Sequence, residues 1–355
     1  MADPADIAVR IDRVRELGTA LYAQLGVPEA DARLTVETLI EADLRGVESH
    51  GVAHLVDFYV RRLQRGAINP RPDVRVVHQA PATAVVDGDR GLGFVVAHAA
   101  MDMAIEKAHE TGLGSVSVRN STHYGAGFHY ALKAARKDMV GISMTTGGNI
   151  VVPPGGTKRV YGANVISVAS PTGRGFDFVL DGSTSVVAGG KLEIARRRGL
   201  PIPEGWALDE QGRPTTDPHA FLRGGGLLPL GGDPQHGAYK GFGLAIFADI
   251  MTGVLSGAGA SVTLPGDGAA AHLLGAVRID AFLPHEEFLG NIDTLIDRLK
   301  IVERQPGVDE ILIPGELEAR LERERLAAGT IPLHPDIVAG INGAAAELGV
   351  NLRLP

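Results

Sequence analysis

The chain has no cysteine. Disulfides, thiolate zinc sites and a cysteine nucleophile are therefore excluded. It also lacks concentrated positive charge: Lys+Arg 34 stand against Asp+Glu 42, a formal net charge of −8. Nucleic-acid binding needs clustered cations to neutralise phosphates, so no nucleic-acid partner is expected. Arg196-Arg197-Arg198 reads as the solvated face of a helix. No run of about 18 apolar residues occurs, so no membrane span is expected. The opening residues Met1-Ala2-Asp3-Pro4-Ala5-Asp6 are acidic and have no apolar core, unlike a secretory signal. These absences lead to the expectation of a cytoplasmic protein with a small-molecule substrate.

Two phosphate-binding signatures are missing as well. The pattern G-x-x-x-x-G-K-[ST] does not occur; Gly155-Gly156-Thr157-Lys158 is a superficial echo of it. Gly91-Leu92-Gly93 and Gly241-Phe242-Gly243 each begin G-x-G-x-x-G, but both lack the third glycine. An ordinary Rossmann domain is therefore not expected. Metal binding finds no support, because His123 and His129 do not share a helical face and H-E-x-x-H is absent. Nor is there a G-x-S-x-G elbow that would make Ser49 a hydrolytic nucleophile.

The chain does have 47 glycines, which fall at segment ends rather than in a run. They suit many turns and close backbone approaches. With 355 residues, two lobes are the default expectation. Ile7, Ile11, Val14, Leu17, Leu21 and Leu25 recur at helical spacing. Gly26 stops that helix and Pro28 opens a second, which Gly46 closes. Val52, Leu55, Tyr59 and Leu63 predict a third helix, broken at Asn69-Pro70. Strands are predicted at 74–77, 83–86, 115–118, 141–144, 165–169, 176–180 and 277–280. Helices are predicted at 95–110, 131–136, 189–198, 239–255, 286–300, 316–328 and 335–348. Residues 201–237 read as a long polar loop. The strands and helices do not alternate strictly, so a doubly wound sheet is not expected. The last helices are expected to pack with the first ones around an inserted sheet lobe.

Two turns carry chemistry. Ser49-His50-Gly51 lies between two helices, and Asn120-Ser121-Thr122-His123-Tyr124-Gly125 links a strand to a helix start. Each sets a histidine beside a hydroxyl and a glycine. Histidine suits proton exchange near neutral pH, with an unperturbed pKa of about 6.5. Asp181 follows an apolar strand and reads either as a site residue or as an N-cap. Lys240 precedes an apolar helix and reads either as a cofactor contact or as a solvated first-turn residue.

In order along the chain stand Ala42-Asp43-Leu44-Arg45-Gly46-Val47-Glu48-Ser49-His50-Gly51, Arg119 to Gly125, Gly162-Ala163-Asn164 and Phe178-Val179-Leu180-Asp181. Pro203 to Asp209, Tyr239-Lys240-Gly241-Phe242-Gly243 and Ile313-Pro314-Gly315-Glu316 follow. This ordered set resembles the type-2 malate/L-lactate dehydrogenase family, over nearly the whole chain. The resemblance implies an α/β (α+β) fold of its own, with a mostly antiparallel sheet lobe inserted in a discontinuous helical lobe. Residues 1–72 with 284–355 are expected to form the helical lobe, on the dimerisation and substrate side. Residues 73–283 are expected to form the NAD(P)-binding sheet lobe. A homodimer with active sites near the interface is implied too.

The resemblance implies hydride transfer between NAD or NADP and a small 2-oxo or 2-hydroxy acid, with NAD the first expectation. His50 is the expected proton donor, with Ser49 and Asp181 as a relay; other members assign that role to the histidine matching His123. Ser121, Thr122, Tyr124 and Gly125 match substrate-lining residues. Pro171, Thr172 and Gly173, then Lys240 and Gly241, then Pro314, Gly315 and Glu316, match residues bordering the cofactor. Family members often carry Arg at the position of His54, where it pairs with the substrate carboxylate, Tyr at Phe58 and Asn at Thr122. A histidine cannot replace the bidentate grip of an arginine. Reduction of a cyclic imino acid, and an inactive NAD(P)-binding homologue, are the alternatives.

Overall fold

The computed structural model of the chain describes residues 5–355. Its first helix begins at Ile11, not Ile7. Ile7–Arg10 is a strand, paired antiparallel with Thr330–Leu333 so that Ile7 lies opposite Leu333. Helical spacing had absorbed Ile7, but Val9 alternates with its neighbours and is fully buried in this small ribbon. Helices Ile11–Gln24 and Glu29–Leu44 pack their apolar faces together. Val14, Leu17, Leu21, Val36 and Leu39 share one core with Ile331, Leu333, Val338 and Ile341 from the far end of the chain.

The predicted third helix is broken into pieces. Short 3-10 turns cover Glu48–His50 and Val52–His54, a π-helical turn covers Leu55–Val60, and a single α turn covers Arg61–Gln64. Gly51 between the first two is extended, with φ −94 and ψ −151, so no continuous helix can pass through it. π-helical turns mark functional sites more often than plain helix does.

The main sheet has seven strands in the order Arg75–Gln79, Thr83–Asp87, Leu113–Thr122, Ala269–Arg278, Met139–Thr145, Val165–Ser170 and Phe178–Gly182. All neighbours are antiparallel except Thr83–Asp87 with Leu113–Thr122, which are parallel. Helix Gly93–Thr111 makes the crossover that a parallel pair requires. The central strand, Ala269–Arg278, was visible in the sequence only at its last residues. Its Ala-rich start has little β-branched character, because helix Gly93–Thr111 packs closely there. Ile279 and Asp280 begin a 3-10 turn rather than extending the strand.

Residues 201–237 are not a plain loop. Ala207–Leu208, Pro214–Thr215 and Gly226–Leu227 join Asn149–Val151 and Tyr161–Gly162 in a second, five-stranded sheet. Strands of two residues are too short to show alternation in a sequence. Helices Glu316–Ala328 and Pro335–Glu347 return to the first helices, through Arg45–Glu322 at 2.6 Å and Arg61–Glu347 at 2.7 Å. Helix His285–Lys300 behaves differently. It docks on the main sheet's last hairpin, where Asp293 accepts the Gly173 N–H at 2.9 Å. Among the described residues no helix is long and apolar enough to cross a membrane.

The closest helix–sheet approach is at Gly114. A Cβ there would overlap the Ala104 carbonyl oxygen of helix Gly93–Thr111. Gly114→Ala should therefore destabilise by about 1–3 kcal/mol through overpacking. A thermal midpoint lowered by a few degrees is the expected result, and an unchanged midpoint would show that the helix can shift away.

Candidate active site

Three histidines converge where the broken helix meets the end of strand Leu113–Thr122. The His50 and His123 ring centroids lie 5.8 Å apart with planes 16° from parallel. His54 meets His50 edge-on at 5.8 Å and His123 at 6.3 Å. Ser49 Oγ lies 2.9 Å from His50 Nδ1.

Beneath this turn sits the buried Asp43, at the end of helix Glu29–Leu44. Its Oδ2 accepts the Val52 N–H at 2.7 Å, which pins the chain just after Gly51. Burial raises the Asp43 carboxyl to about 8; the Val52 N–H opposes this and Glu48 adds to it.

His123 is held from behind. The Tyr59 hydroxyl lies 2.6 Å from His123 Nδ1, and the Gly125 N–H points to the same nitrogen at 3.3 Å. An amide can only donate, so in the neutral ring Nδ1 accepts and the proton sits on Nε2. Gly125 has φ +77, and a Cβ there would run into the Phe94 ring. Burial, then the neighbouring His54, pulls His50 down to about 4. Burial, then His50, His54 and Arg62, pulls His123 well below its ordinary value. Both rings are neutral at pH 7.

His54 is drawn to the sheet lobe, with Nε2 3.6 Å from Glu193 Oε2 on helix Gly189–Arg197. The nearby His54 is the main cause of that carboxyl's lowered pKa, against burial. On its other side His54 stacks on Phe58 at 5.1 Å, and Phe58 meets His123 at 4.7 Å.

Other candidate side chains are engaged elsewhere. Thr122 Oγ1 donates to Gly91 O at 2.8 Å and accepts the Gly93 N–H at 3.0 Å. Tyr124 is fully buried between Tyr130 and His272, with its hydroxyl 3.0 Å from Ser143 Oγ. Ser121 Oγ lies 3.0 Å from Nε2 of the buried His272, whose Nδ1 is 2.8 Å from Thr145 Oγ1. Burial takes His272 down to about 3. Asp181 bonds to the Ser167 hydroxyl and the Phe128 N–H. Its carboxyl, raised by burial, thus belongs to a strand–helix junction, and it does not join the Ser49–His50 pair.

The expected cofactor residues fall at both ends of strand Phe178–Gly182. At its start, Pro314 O accepts the Val179 N–H at 3.0 Å, and Gly315 lies against Asp177. Glu316 pairs with Lys300 at 2.6 Å. Pro171, Thr172 and Gly173 lie in the hairpin that enters this strand, where the Thr172 hydroxyl bonds Phe176 O. Beyond its end, the Leu230 N–H donates to Thr184 O at 2.8 Å, and Gly241 packs against Leu230. Lys240 is exposed in the first turn of helix Ala238–Asp249. Among the described residues no group of three or more His, Asp or Glu is placed to hold a metal ion.

Sequence reasoning had not assigned Tyr59, Glu193, Asp43, Arg62 and His272 to the site. Tyr59 read as a core residue on a helical face, and His272 sits in the strand that was not foreseen. Glu193 arrives from a distant segment, and nothing local marks it.

The imidazoles lie between a helical layer and a mostly antiparallel sheet, in a fold built without a Rossmann domain. A sequence model of the malate/L-lactate dehydrogenase family matches residues 9–342. The malate dehydrogenase of Pyrococcus abyssi is 43% identical over 335 residues, covering 93% of this chain and 92% of that protein. The L-sulfolactate dehydrogenase of Methanocaldococcus jannaschii is 38% identical, covering 93% and 94%. The crystal structure of malate dehydrogenase from Entamoeba histolytica superposes with a TM-score of 0.94 at 31% identity, covering 98% of this chain and 99% of that one. The chain belongs to the malate/L-lactate dehydrogenase family and is an oxidoreductase acting on CH–OH groups.

Asp43 gives a test of the architecture under the first histidine. Its folded pKa, about 8, lies above the ordinary aspartate value. The folded state therefore holds a proton that the unfolded state releases above about pH 4. The contribution of this carboxyl to stability is fully present below about pH 4 and is lost as pH rises towards 8. The urea midpoint of Asp43→Asn relative to the parent should therefore rise between about pH 4 and pH 8. Parallel pH profiles for the two proteins would refute a protonated Asp43.

Proposed function

We propose that the protein catalyses reversible hydride transfer between NAD(P)H and a small 2-oxo acid, giving the 2-hydroxy acid. The carrying observation is the facing pair His50 and His123, both with lowered pKa, beside His54, which meets Glu193 of helix Gly189–Arg197. The malate and L-sulfolactate dehydrogenases among its relatives support the substrate class.

The residues bordering strand Phe178–Gly182 fit a dinucleotide in their donor chemistry. Lys240, exposed in the first turn of helix Ala238–Asp249, suits phosphate, and Gly231, Gly232 and Gly237 put no side chains on the backbone before it. Pro171 to Gly173 and Pro314 to Glu316 would border the other end. When bound, the nicotinamide supplies or accepts the hydride. NAD is the first expectation, and NADP uses the same residues.

The protein's own task is the proton. In alcohol oxidation a neutral imidazole takes the hydroxyl proton; in reduction the imidazolium returns it. One reading gives this to His50, oriented by Ser49. The second gives it to His123; there the donors at Nδ1 leave the proton on Nε2, so the neutral ring can donate a hydrogen bond to a substrate oxygen but has no free lone pair on Nε2 to take a hydroxyl proton. Asp181 acts on this pair only through the strand and helix it joins.

We further propose a homodimer. Tyr239, Leu244, Phe247, Ile250, Val254 and Leu255 are all more than 40% exposed along one continuous helical stretch. An apolar patch of that length marks an interface. Light scattering should give twice the chain mass, and a monomer at micromolar concentration would exclude it.

The reaction is tested with a panel of 2-oxo acids against NADH and NADPH, followed by absorbance. A cyclic imino acid forms the control arm. Turnover of a 2-oxo acid is expected; turnover of the imine alone, or binding of NAD(P)H without oxidation, overturns the reading. Replacing the proton-exchanging histidine by Ala should cost about 10²–10⁴-fold in rate, so His50→Ala and His123→Ala decide between the two. The depressed histidine pKa values place the acid limb of kcat/KM for alcohol oxidation below the ordinary histidine value, near pH 4 where His50 is the base. A limb at the ordinary histidine value would contradict them.

A further inference from the structure

We propose that Arg62 is the guanidinium that grips the anionic end of the substrate, the task that His54 cannot perform. This rests on the reading of the site as a 2-oxo acid reductase and names the group that recognises its substrate.

His54, Phe58 and Arg62 follow one another at intervals of four residues and form a column. His54 stacks on the Phe58 ring at 5.1 Å, with planes 21° apart. The Arg62 guanidinium carbon lies 3.7 Å from the centre of the same ring. Phe58 in turn meets the His123 ring at 4.7 Å. These distances set the guanidinium within the length of a small dicarboxylic acid from His123. On its other side is Gly268, where a Cβ would strike the guanidinium. The Gly268 carbonyl accepts the His123 N–H at 3.2 Å. Arg62 is thus lodged between an aromatic ring and a bare stretch of backbone, next to a candidate proton exchanger.

What it lacks is a close anionic partner. The side chain is 14% exposed, and its nearest carboxylate, Asp267, is 3.9 Å away. Asp267 is half exposed and is bonded by Arg65 instead. Arg62 Nη1 is buried and makes no hydrogen bond. Burial, the largest influence on this group, lowers its pKa from the usual arginine value. A buried guanidinium whose one ion pair is long and whose Nη1 makes no hydrogen bond is costly, and an anion that accepts from Nη1 lowers the cost. His54, by contrast, directs Nε2 at Glu193 and has no forked donor to offer. A substrate carboxylate or sulfonate and a cofactor phosphate share this chemistry. The contacts with Phe58 and His123 favour the substrate.

The test compares the parent with Arg62→Gln, Arg62→Lys and the double variant His54→Arg/Arg62→Gln. Steady-state kinetics use the best 2-oxo acid of the panel, varying acid and NAD(P)H separately. A hydrogen bond to a charged group corresponds to about a ten- to hundredfold effect. R62Q should raise KM for the acid by about that factor, with KM for NAD(P)H and kcat little changed. R62K should recover part of the loss, and an arginine restored at position 54 should recover more. An unchanged KM for the acid, a loss confined to kcat, or a rise in KM for NAD(P)H each overturns the proposal; the last would assign Arg62 to phosphate. Calorimetric titration with oxalate in the presence of NADH needs no turnover. If the parent reduces no 2-oxo acid, the functional reading fails, yet weaker oxalate binding by R62Q and R62K still supports the anion grip. Equal oxalate binding by all forms, or none by the parent, refutes it.

Discussion

The bond from the Val52 N–H to the buried Asp43 carboxyl holds the site's first wall in place. It fastens the chain immediately after Ser49-His50-Gly51 to the end of helix Glu29–Leu44. The chain must then restart its helix from a fixed point, and it does so through a 3-10 turn and a wide π-helical turn. Consecutive side chains are turned less far apart on a wide turn than on an α-helix. Phe58 and Tyr59 can therefore both reach His123, one by its ring and the other by its hydroxyl. Without the Asp43 bond there is no reason for this segment to depart from the regular helix that its apolar spacing specifies.

The electrostatics follow from crowding. Two neighbouring buried imidazoles disfavour each other's charge, and burial penalises it further. His50 and His123 are both lowered in pKa, and the Arg62 guanidinium reinforces that outcome at His123. The Glu193 carboxylate faces His54. The three rings are thereby given different surroundings: one with an anion, one with a serine hydroxyl, one with a tyrosine hydroxyl and an amide. Glu193 comes from the sheet side and the histidines mostly from the helical side, so the geometry depends on the two layers keeping their register.

Much of this was legible in the residues. Helical spacing located Glu29–Leu44, Gly93–Thr111 and Pro335–Glu347, whose apolar residues recur every three or four positions. The absent glycine fingerprint excluded a Rossmann domain, and the ordered motifs named the family. What stayed hidden has physical causes. The strand Ala269–Arg278 lies at the centre of the sheet and must fit a close helix, so it carries alanine where β-branched residues would announce a strand. The strand Ile7–Arg10 runs straight into a helix, and its apolar residues fall by chance on the helix's own period. Helix His285–Lys300 gives no sign in its sequence of which lobe it joins, because that is decided by Asp293 meeting one backbone N–H. The roles of Ser49, His50 and His123 were suggested by their neighbours in sequence; those of Tyr59 and Glu193 depend on contacts across the fold.

Position 54 shows how such limits bear on specificity. The family resemblance leads one to expect an arginine there, and the chain carries a histidine. In three dimensions positions 54, 58 and 62 share one face of the same winding, and side chains four residues apart lie one above another. A cation can therefore move two turns along the column and still address the same cavity, provided that the residue between is flat and apolar. Phe58 meets that condition, since a tyrosine hydroxyl would add a polar group beside the guanidinium's only aromatic neighbour. His54 and Phe58 together are then a single change: the ring that accommodates Arg62 is the reason position 54 can be given to Glu193.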